Sequence, residues 1–173
     1  PHQEPPLSPE QINDIASGLG SDLNFCIEGG TRIATSRGEV LEKIPTPDLN
    51  LIVVKPKDLF ISAKEAYTKY SQHITDKKIK NSKAMINLLQ SNHYSAEKIA
   101  ELLNNDLEKA IIEDYPQIQK LKDTLISADC FNAIMSGSGP TVFGICDREI
   151  NLELDNNFEI FKAQSINYGV CYE

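Results

Sequence analysis

The stretch FNAIMSGSGPTVFGIC, residues 131–146, decides the fold expected for the second half of the chain. Its two ends are apolar runs of strand length, and glycine, serine and proline fill residues 136–140 between them. This pattern is typical of two antiparallel strands joined by a short loop. The residues alone leave two interpretations of the loop open. It is either a tight turn that uses the positive φ of glycine, or a loop that offers backbone N–H groups to a phosphate or another polar ligand.

Outward from this loop, the pattern predicts an α+β fold, with an antiparallel sheet and helices packed on one face. The apolar run 51–54 predicts a strand buried on both faces. Apolar residues at helical spacing predict several helices across residues 82–128, and Ser62 begins another helix. Residues 166–171 predict a closing edge strand, whereas the acidic residues 147–164 show little pattern.

The first part of the chain predicts a helix followed by hairpins. Residues 8–11, SPEQ, combine a serine cap, a proline at the first helical position and a glutamine three residues after the cap. Residues 23–28 and 31–36 flank two glycines, which predicts a hairpin, and residues 37–39 predict a second turn. A proline-rich breaker follows at 45–48, so we expect domain boundaries at 1–47 and 48–173.

Composition and charge exclude several classes of protein. The chain has 173 residues, of which 40% are hydrophobic and 24% charged, and its net charge is −8. The acidic balance argues against nucleic acid or an anionic membrane as a partner, and no apolar run is long enough to span a bilayer. Lysines are concentrated between residues 55 and 83, with eight lysines against three acidic residues. This excess indicates either a solvated surface or a surface that faces an anionic ligand.

The cysteines predict no metal site. They lie at positions 26, 130, 146 and 171, without the spacings that zinc sites use. Apolar, strand-like surroundings predict that Cys26, Cys130 and Cys146 are buried free thiols. We therefore expect a reducing compartment, either the bacterial cytoplasm or the plastid stroma. The three histidines stand among polar residues, and we assign them no catalytic role.

A carboxylate at residue 22 is the second candidate for chemistry. The sequence GLGSD, residues 18–22, places Asp22 where the first helix ends and the next element begins. Composition allows Ser21 and Asp22 a role as a simple cap or turn. The alternative is an acid held on a rigid junction, as the general base that phosphoryl transfer to an alcohol requires.

Three segments, in this order, resemble the 4-diphosphocytidyl-2-C-methyl-D-erythritol kinase family of the GHMP kinase superfamily. They are GLGSDLNFCIEGGTRIATSRGE (18–39), NDLE (105–108) followed by YP (115–116), and MSGSGPTVFG (135–144). The resemblance covers roughly residues 8–146. The first two segments distinguish this family from galactokinase, homoserine kinase and the mevalonate kinases, whereas the GSGP loop is common to the superfamily.

The resemblance implies a role for each candidate residue. Asp22 matches the aspartate taken as the base for the acceptor hydroxyl. Tyr67 matches the aromatic that stacks on the cytosine ring, which would bring the lysine-rich stretch 55–69 close to a nucleotide diphosphate. The substrate-binding loop beside the acceptor matches Ser136, Gly137, Ser138 and Gly139.

The resemblance also implies a fold and an activity. The fold is the GHMP kinase C-terminal domain at 48–173, preceded at 1–47 by a remnant of the S5-like N-terminal domain. The activity is phosphorylation of the 2-hydroxyl of 4-diphosphocytidyl-2-C-methyl-D-erythritol, with ATP and Mg²⁺, in non-mevalonate isoprenoid biosynthesis. The expected partner is this small-molecule substrate.

Departures from the family pattern limit these expectations. Asn24 replaces a usual proline, Ala63 replaces a usual threonine or serine, and residues 147–164 replace an amphipathic helix. The P-A-K-I-N strand and the P-x-G-x-G-L-G-G-G-S-S-x-A loop, which holds ATP phosphates, do not occur in the 173 residues. We therefore expect an incomplete part of the kinase, inactive alone, with the missing N-terminal portion as a candidate partner.

Two alternatives remain at this point. The first is a non-catalytic module, derived from the kinase, that binds a cytidine nucleotide or serves in assembly. The second is a neighbouring kinase of the superfamily that acts on another small alcohol, against which the GSD segment and NDLE argue.

Overall fold

A computed structural model of the chain describes residues 6–72 and 81–171 and divides the chain into two compact units. The first unit is formed by two stretches of the chain, the one that precedes Pro47 and the one that starts at Ile166. The second unit is Pro47–Ser165. The assignment of residues 1–47 and 48–173 to parts of two kinase domains stays a prediction. Within the described ranges, no helix has the length and apolar character needed to cross a membrane.

Helix α1, Pro9–Leu19, begins as the sequence predicts. The Ser8 hydroxyl accepts a hydrogen bond from the Gln11 N–H at 3.3 Å, and the Gln11 side chain accepts one from the Ser8 N–H at 2.8 Å. This reciprocal pair satisfies two N–H groups that have no partner inside the helix. The helix ends at Leu19, and the following residue, Gly20, donates its N–H to the carbonyl of Ala16.

The predicted strand at residues 23–28 is wrong, because Leu23–Glu28 forms helix α2. The carbonyl of Asp22 accepts the first intrahelical bond, from the Cys26 N–H at 3.1 Å, and the Gly29 N–H donates to Phe25 at 2.7 Å. Gly29 has a φ of 60° and therefore ends a helix instead of turning a hairpin. The strand propensity of phenylalanine, cysteine and isoleucine is overridden by these local bonds. Cys26 is consequently exposed, contrary to the prediction of a buried thiol.

Strands β1, Thr31–Thr35, and β2, Val40–Ile44, form an antiparallel hairpin. Thr31 pairs with Ile44 and Thr35 with Val40. The hairpin turn therefore occupies residues 36–39, which include the turn predicted at residues 37–39. Ser36 and Gly38 take positive φ values of 61° and 112° there.

The second unit contains a four-stranded antiparallel sheet, in which Cys130–Met135, Val142–Cys146, Asn50–Pro56 and Phe158–Gln164 are neighbours in that order. Strand β3 is Asn50–Pro56, β4 is Cys130–Met135, and β5 is Val142–Cys146. The strands β4 and β5 flank the GSGP loop as predicted. Together with the helices of this unit, the sheet confirms the α+β fold class.

Strand β6, Phe158–Gln164, lies in the acidic region for which the sequence predicted little structure. It pairs with β3 from Asn50↔Gln164 to Pro56↔Phe158 and forms one edge of the sheet. Edge strands carry charged side chains and often lack clear alternation, which explains why the pattern missed it. The predicted edge strand at residues 166–171 is wrong, since that segment contains no strand.

Among the described residues of this unit, five helices accompany the sheet: α3 (Ala63–Gln72), α4 (Ser82–Gln90), α5 (Ala96–Glu101), α6 (Glu108–Asp114) and α7 (Pro116–Ser127). Their positions agree with the helical pattern predicted around residues 62 and 82–128. Pro116 is the first residue of α7, where its missing N–H costs no hydrogen bond.

The core of the second unit joins one sheet face to α6 and α7. The strands contribute Ile52, Val54, Val142 and Met135, and the helices contribute Ile111, Ile118, Leu121 and Leu125. All are at most 4% exposed, so each adds about 1.5–3 kcal/mol of hydrophobic stabilisation. The core includes Met135, the last residue of β4 before the loop.

Two cysteines complete the same core. Cys130 and Cys146 are paired positions on β4 and β5, with their Sγ atoms 2.9 Å apart. Both thiols are buried, as the sequence predicts, and burial raises the pKa of Cys130. A raised pKa keeps the thiol protonated and unreactive.

Candidate functional site

Asp22 stands at the junction of α1 and α2, in the first unit. It is the N-cap residue of α2 through its backbone, but its side chain makes no capping hydrogen bond. The residue is exposed. Its carboxylate oxygens therefore face solvent and are accessible to a ligand hydroxyl.

The hairpin turn of the first unit lies against this junction. A Cβ atom on Gly38 would be 3.8 Å from the Ser21 side chain and 3.9 Å from Oδ1 of Asp22. The Glu39 carboxylate closes the turn, since it accepts from the Arg37 N–H at 2.9 Å. Backbone hydrogen bonds, chiefly from its own N–H, hold the pKa of Glu39 below its usual value. The GSD and SRGE parts of the first family segment thus meet in space.

Asn24 of α2 links the elements at this junction through its side-chain amide. It is 5% exposed, and its Nδ2 donates to Ser17 Oγ at 2.8 Å and to the Glu39 carbonyl at 3.4 Å. Its Oδ1 is buried with no hydrogen-bond partner in the described part of the chain. The replacement of the family proline thus exchanges a fixed φ for a side-chain link between α1, α2 and the hairpin turn.

The loop between β4 and β5 is a compact turn with an open tip. The Ser136 N–H donates to Thr141 at 2.8 Å, and the Gly139 N–H donates to Ser136 at 2.9 Å. Gly137 and Gly139 have φ values of 54° and 81°. A Cβ on Gly137 would meet nothing within 4 Å, whereas one on Gly139 would lie 2.7 Å from the Met135 sulfur. Both interpretations of the loop are therefore compatible with its geometry, because its base is a turn and its tip faces open space.

The NDLE segment holds this loop, a role that the sequence did not reveal. Asn105 Nδ2 donates to the carbonyls of Met135 and Gly137, at 2.9 and 2.8 Å. Glu108 accepts from the Met135 N–H at 2.7 Å and forms an ion pair with Lys122 of α7. The only sequence signal for these contacts is the recurrence of NDLE in the family pattern before GSGP.

Tyr67 lies on α3, with 63% of its surface exposed. The helix begins where the Ser62 hydroxyl accepts from the Glu65 N–H at 3.1 Å. The preceding residue, Ile61, is buried, and its Cδ1 lies 3.6 Å from the Cβ position of Gly139. The structure therefore brings the start of α3 into contact with the GSGP loop, while the ring of Tyr67 stays free for a ligand.

The YP segment, residues 115–116, also contacts α3. The Tyr115 hydroxyl donates to Glu65 at 2.6 Å, and Lys69 forms ion pairs with Asp114 and Glu65. The hydrogen bond to Glu65 raises the pKa of Tyr115, and the bond to Asp114 raises the pKa of Lys69. These contacts link α3 to the start of α7 and so hold the helix that carries Tyr67.

Several lysines of the predicted basic stretch are engaged within the protein. Lys55 pairs with Glu159 at 3.5 Å, and Lys57 donates to the Asn156 carbonyl at 2.8 Å. Lys69 is paired with Asp114, as described above. These contacts favour a solvated, ion-paired surface for this part of the stretch. The lysines at positions 77, 78 and 80 lie outside the described residues.

Comparison with known proteins supports the family resemblance. Residues 83–154 match the family model described as GHMP kinases C terminal. The 4-diphosphocytidyl-2-C-methyl-D-erythritol kinase of Acaryochloris marina is 34% identical over 159 residues, which cover 86% of this chain and 51% of the relative. The relative of the same name from Thermoanaerobacter pseudethanolicus is 39% identical over 142 residues, which cover 82% and 47%.

Solved structures share the fold. A crystal structure of 4-(cytidine 5'-diphospho)-2C-methyl-D-erythritol kinase matches 79% of this chain and 48% of its own, with a TM-score of 0.62 and 20% identity. A homoserine kinase from Cytophaga hutchinsonii matches 85% and 52%, with a TM-score of 0.65 and 16% identity. At these identities the structures demonstrate the fold alone. The chain is thus a homologue of the 4-diphosphocytidyl-2-C-methyl-D-erythritol kinases of the GHMP kinase superfamily, and it spans about half the length of the curated relatives that it matches.

Proposed function

We propose that this chain carries the acceptor-substrate residues of a kinase that phosphorylates the 2-hydroxyl of 4-diphosphocytidyl-2-C-methyl-D-erythritol. The observation that carries the proposal is the Asp22 carboxylate, which is exposed and makes no capping bond at the junction shared with the SRGE turn. A general base must have a carboxylate that the alcohol can reach, because the carboxylate receives the hydroxyl proton while the hydroxyl oxygen attacks the phosphoryl group.

The other site residues bind and orient the substrate in this proposal. The exposed ring of Tyr67 stacks on the cytosine, and the open tip of the GSGP loop contacts the diphosphate through backbone N–H groups and the Ser136 and Ser138 hydroxyls. Asp22 orients the 2-hydroxyl and accepts its proton.

The residues described do not fit the phosphoryl donor of the family, ATP with Mg²⁺. Residues 6–72 and 81–171 contain no group of three or more histidine, cysteine, aspartate or glutamate side chains that could hold a metal ion. The glycine-rich loop that holds ATP phosphates in the family is also absent from the sequence. No step of the proposed mechanism on this chain therefore depends on groups of the donor site.

The absence of that loop from these residues favours a second candidate, a module that binds a cytidine nucleotide without catalysis. Two experiments separate the candidates. The first reads the gene upstream of the Pro1 codon, where a continuous frame encoding the ATP loop supports the kinase. The second assays the full product of the gene for ATP-dependent phosphorylation of the substrate by phosphorus NMR. Turnover supports the kinase, and binding without turnover supports the module.

The 173-residue chain alone is expected to show no ATP-dependent turnover, because it lacks the loop that holds the ATP phosphates. The measurement is a coupled assay for ADP release with the purified chain, ATP, Mg²⁺ and substrate. Release of ADP that depends on the substrate would contradict this expectation.

Tyr67→Ala is expected to weaken the binding of cytidine diphosphate (CDP) by about 5- to 150-fold, because stacking of a base on an aromatic ring contributes roughly 1–3 kcal/mol. Isothermal titration calorimetry of the full chain measures the change. Tyr67→Phe keeps the ring and should keep the affinity. Thr68→Ala, at an exposed neighbouring position of the same helix, is the matched control. Equal affinity of wild type and Tyr67→Ala for CDP would show that Tyr67 is not part of the binding site.

A further inference from the structure

The NDLE segment, residues 105–108, has no role in the function proposed above, yet its side chains hold the loop on which that function depends. The segment leads into α6, which begins at Glu108. Two of its four side chains bond to the backbone of residues 135–137. The contacts therefore link a family-specific segment to the loop common to the superfamily.

The hydrogen bonds of Asn105 determine how its amide is oriented. Its Nδ2 has two carbonyl acceptors, on Met135 and Gly137, and its Oδ1 accepts from the Leu107 N–H at 3.0 Å. A rotated amide would place its oxygen against two carbonyl oxygens and its NH₂ group against an N–H. The observed orientation is the one that satisfies all three contacts.

The bond to Gly137 also determines where the next N–H points. In a trans peptide the C=O and the N–H of one unit point in opposite directions. Because the Gly137 carbonyl points at Asn105, the Ser138 N–H points away from Asn105. By the same geometry the Gly137 N–H points out of the turn, since the Ser136 carbonyl accepts from the Gly139 N–H inside it.

Two successive N–H groups therefore face outward at the tip of the loop. Within the described ranges, the N–H groups of Gly137 and Ser138 donate to no protein acceptor. The space beside Gly137 is open, because a Cβ there would contact nothing within 4 Å. Consecutive outward N–H groups of this kind bind anions.

Glu108 provides a further attachment at the base of the loop. Glu108 bonds to the Met135 N–H and to Lys122, and the side chains of Glu108 and Lys122 are 15% and 14% exposed. This charge-assisted pair ties the end of β4 to α7. Asn105 bonds to the Met135 carbonyl and also reaches the tip two residues further on, where the φ of Gly137 is 54°. A glycine there allows the following peptide unit to rotate when nothing holds its carbonyl.

We propose that Asn105 is a positioning residue for the substrate: it holds the Gly137–Ser138 peptide so that its N–H faces a phosphate of the nucleotide. The inference rests on the proposed function, since the phosphate belongs to the proposed cytidine substrate. Asn105 itself touches the loop and not the substrate. Its loss therefore removes the affinity that the phosphates add and leaves the affinity for the nucleoside unchanged.

The test compares CDP with cytidine, which lacks the phosphates. Calorimetric titrations use the full chain as wild type, Asn105→Ala and Asn105→Asp, with Asn104→Ala as the matched control at an exposed neighbouring position. In both Asn105 variants we expect the dissociation constant for CDP to rise about tenfold, with that for cytidine unchanged. In labelled wild-type protein, CDP should shift the amide resonances of Gly137 and Ser138.

Four other outcomes of these titrations would contradict the inference. The inference is overturned if the variants keep the preference of wild type for CDP, or if they lose affinity for CDP and cytidine equally, which indicates a purely structural role. It is also overturned if neither variant folds, as thermal melting would reveal. If wild type binds neither compound, the proposed function itself fails, and the inference fails with it.

Discussion

Replacing Asp22 by asparagine in the full product of the gene is expected to lower kcat for phosphorylation of 4-diphosphocytidyl-2-C-methyl-D-erythritol by about 100- to 10,000-fold. Asparagine keeps the size of the side chain and can hydrogen-bond to the hydroxyl, but it cannot accept the proton. KM should change little, because the cytosine and diphosphate contacts stay intact. Steady-state release of ADP measures both constants.

Folding should be unaffected by this change. The Asp22 side chain is exposed and makes no capping bond, so its carboxylate supports no described contact of α2. Thermal melting should give the same midpoint for Asp22→Asn and wild type. Asp14→Asn, at an exposed position of α1, is the matched control and should keep full activity. Full activity of Asp22→Asn would rule out Asp22 as the base.

Gly29→Ala is expected to destabilise the first unit by about 2–4 kcal/mol, which corresponds to a fall of roughly 5–10 °C in the thermal midpoint. Gly29 has a φ of 60°, where an alanine is strained, and a Cβ there would overlap the backbone carbonyl of Tyr168. A Cβ on Gly169 would likewise overlap the backbone carbonyl of Ile27, and the Val170 N–H donates to the Cys26 carbonyl at 3.1 Å. The segment after Ile166 therefore packs backbone to backbone against α2.

Hydrogen exchange distinguishes local detachment from a general loss of stability. The Val170 amide should lose its protection in Gly29→Ala, because the overlap forces its segment away from α2. Gly18→Ala is the matched control, since a Cβ on Gly18 would meet nothing within 4 Å inside α1. That change should leave the midpoint unchanged or raise it slightly, because alanine is the better helix former. An unchanged midpoint and a protected Val170 amide in Gly29→Ala would contradict the packing described here.

Local signals were sufficient where a structural feature depends on neighbouring residues. The cap at Ser8 and the proline at residue 9 predicted the start of α1, and the GSGP run predicted the hairpin of β4 and β5. The apolar spacing across residues 82–128 predicted a helical region, which α4 to α7 occupy. In each case the hydrogen bonds that form the feature join residues close in sequence, so the sequence pattern contains them.

Local signals failed where distant contacts determine the structure. Helix α2 is a different case, because residues 23–28 have strand-forming side chains and the local backbone bonds at Asp22 and Gly29 nevertheless close them into a helix. Strand β6 is held by its pairing with β3, more than 100 residues earlier in the chain, and its own pattern is weak. The segment after Ile166 resembles a strand, but Gly169 and Val170 instead pack against α2.

The sequence by itself determined the family resemblance, the α+β class and the identity of the candidate residues, Asp22, Tyr67 and residues 136–139. Only the tertiary structure decided what holds them: Asn105 and Glu108 on the loop, Tyr115 on α3, and the SRGE turn beside Asp22. The physical reason is the range of the contacts. The sequence specifies the residue types, whereas a hydrogen bond from Asn105 to Gly137 exists only after the chain has folded.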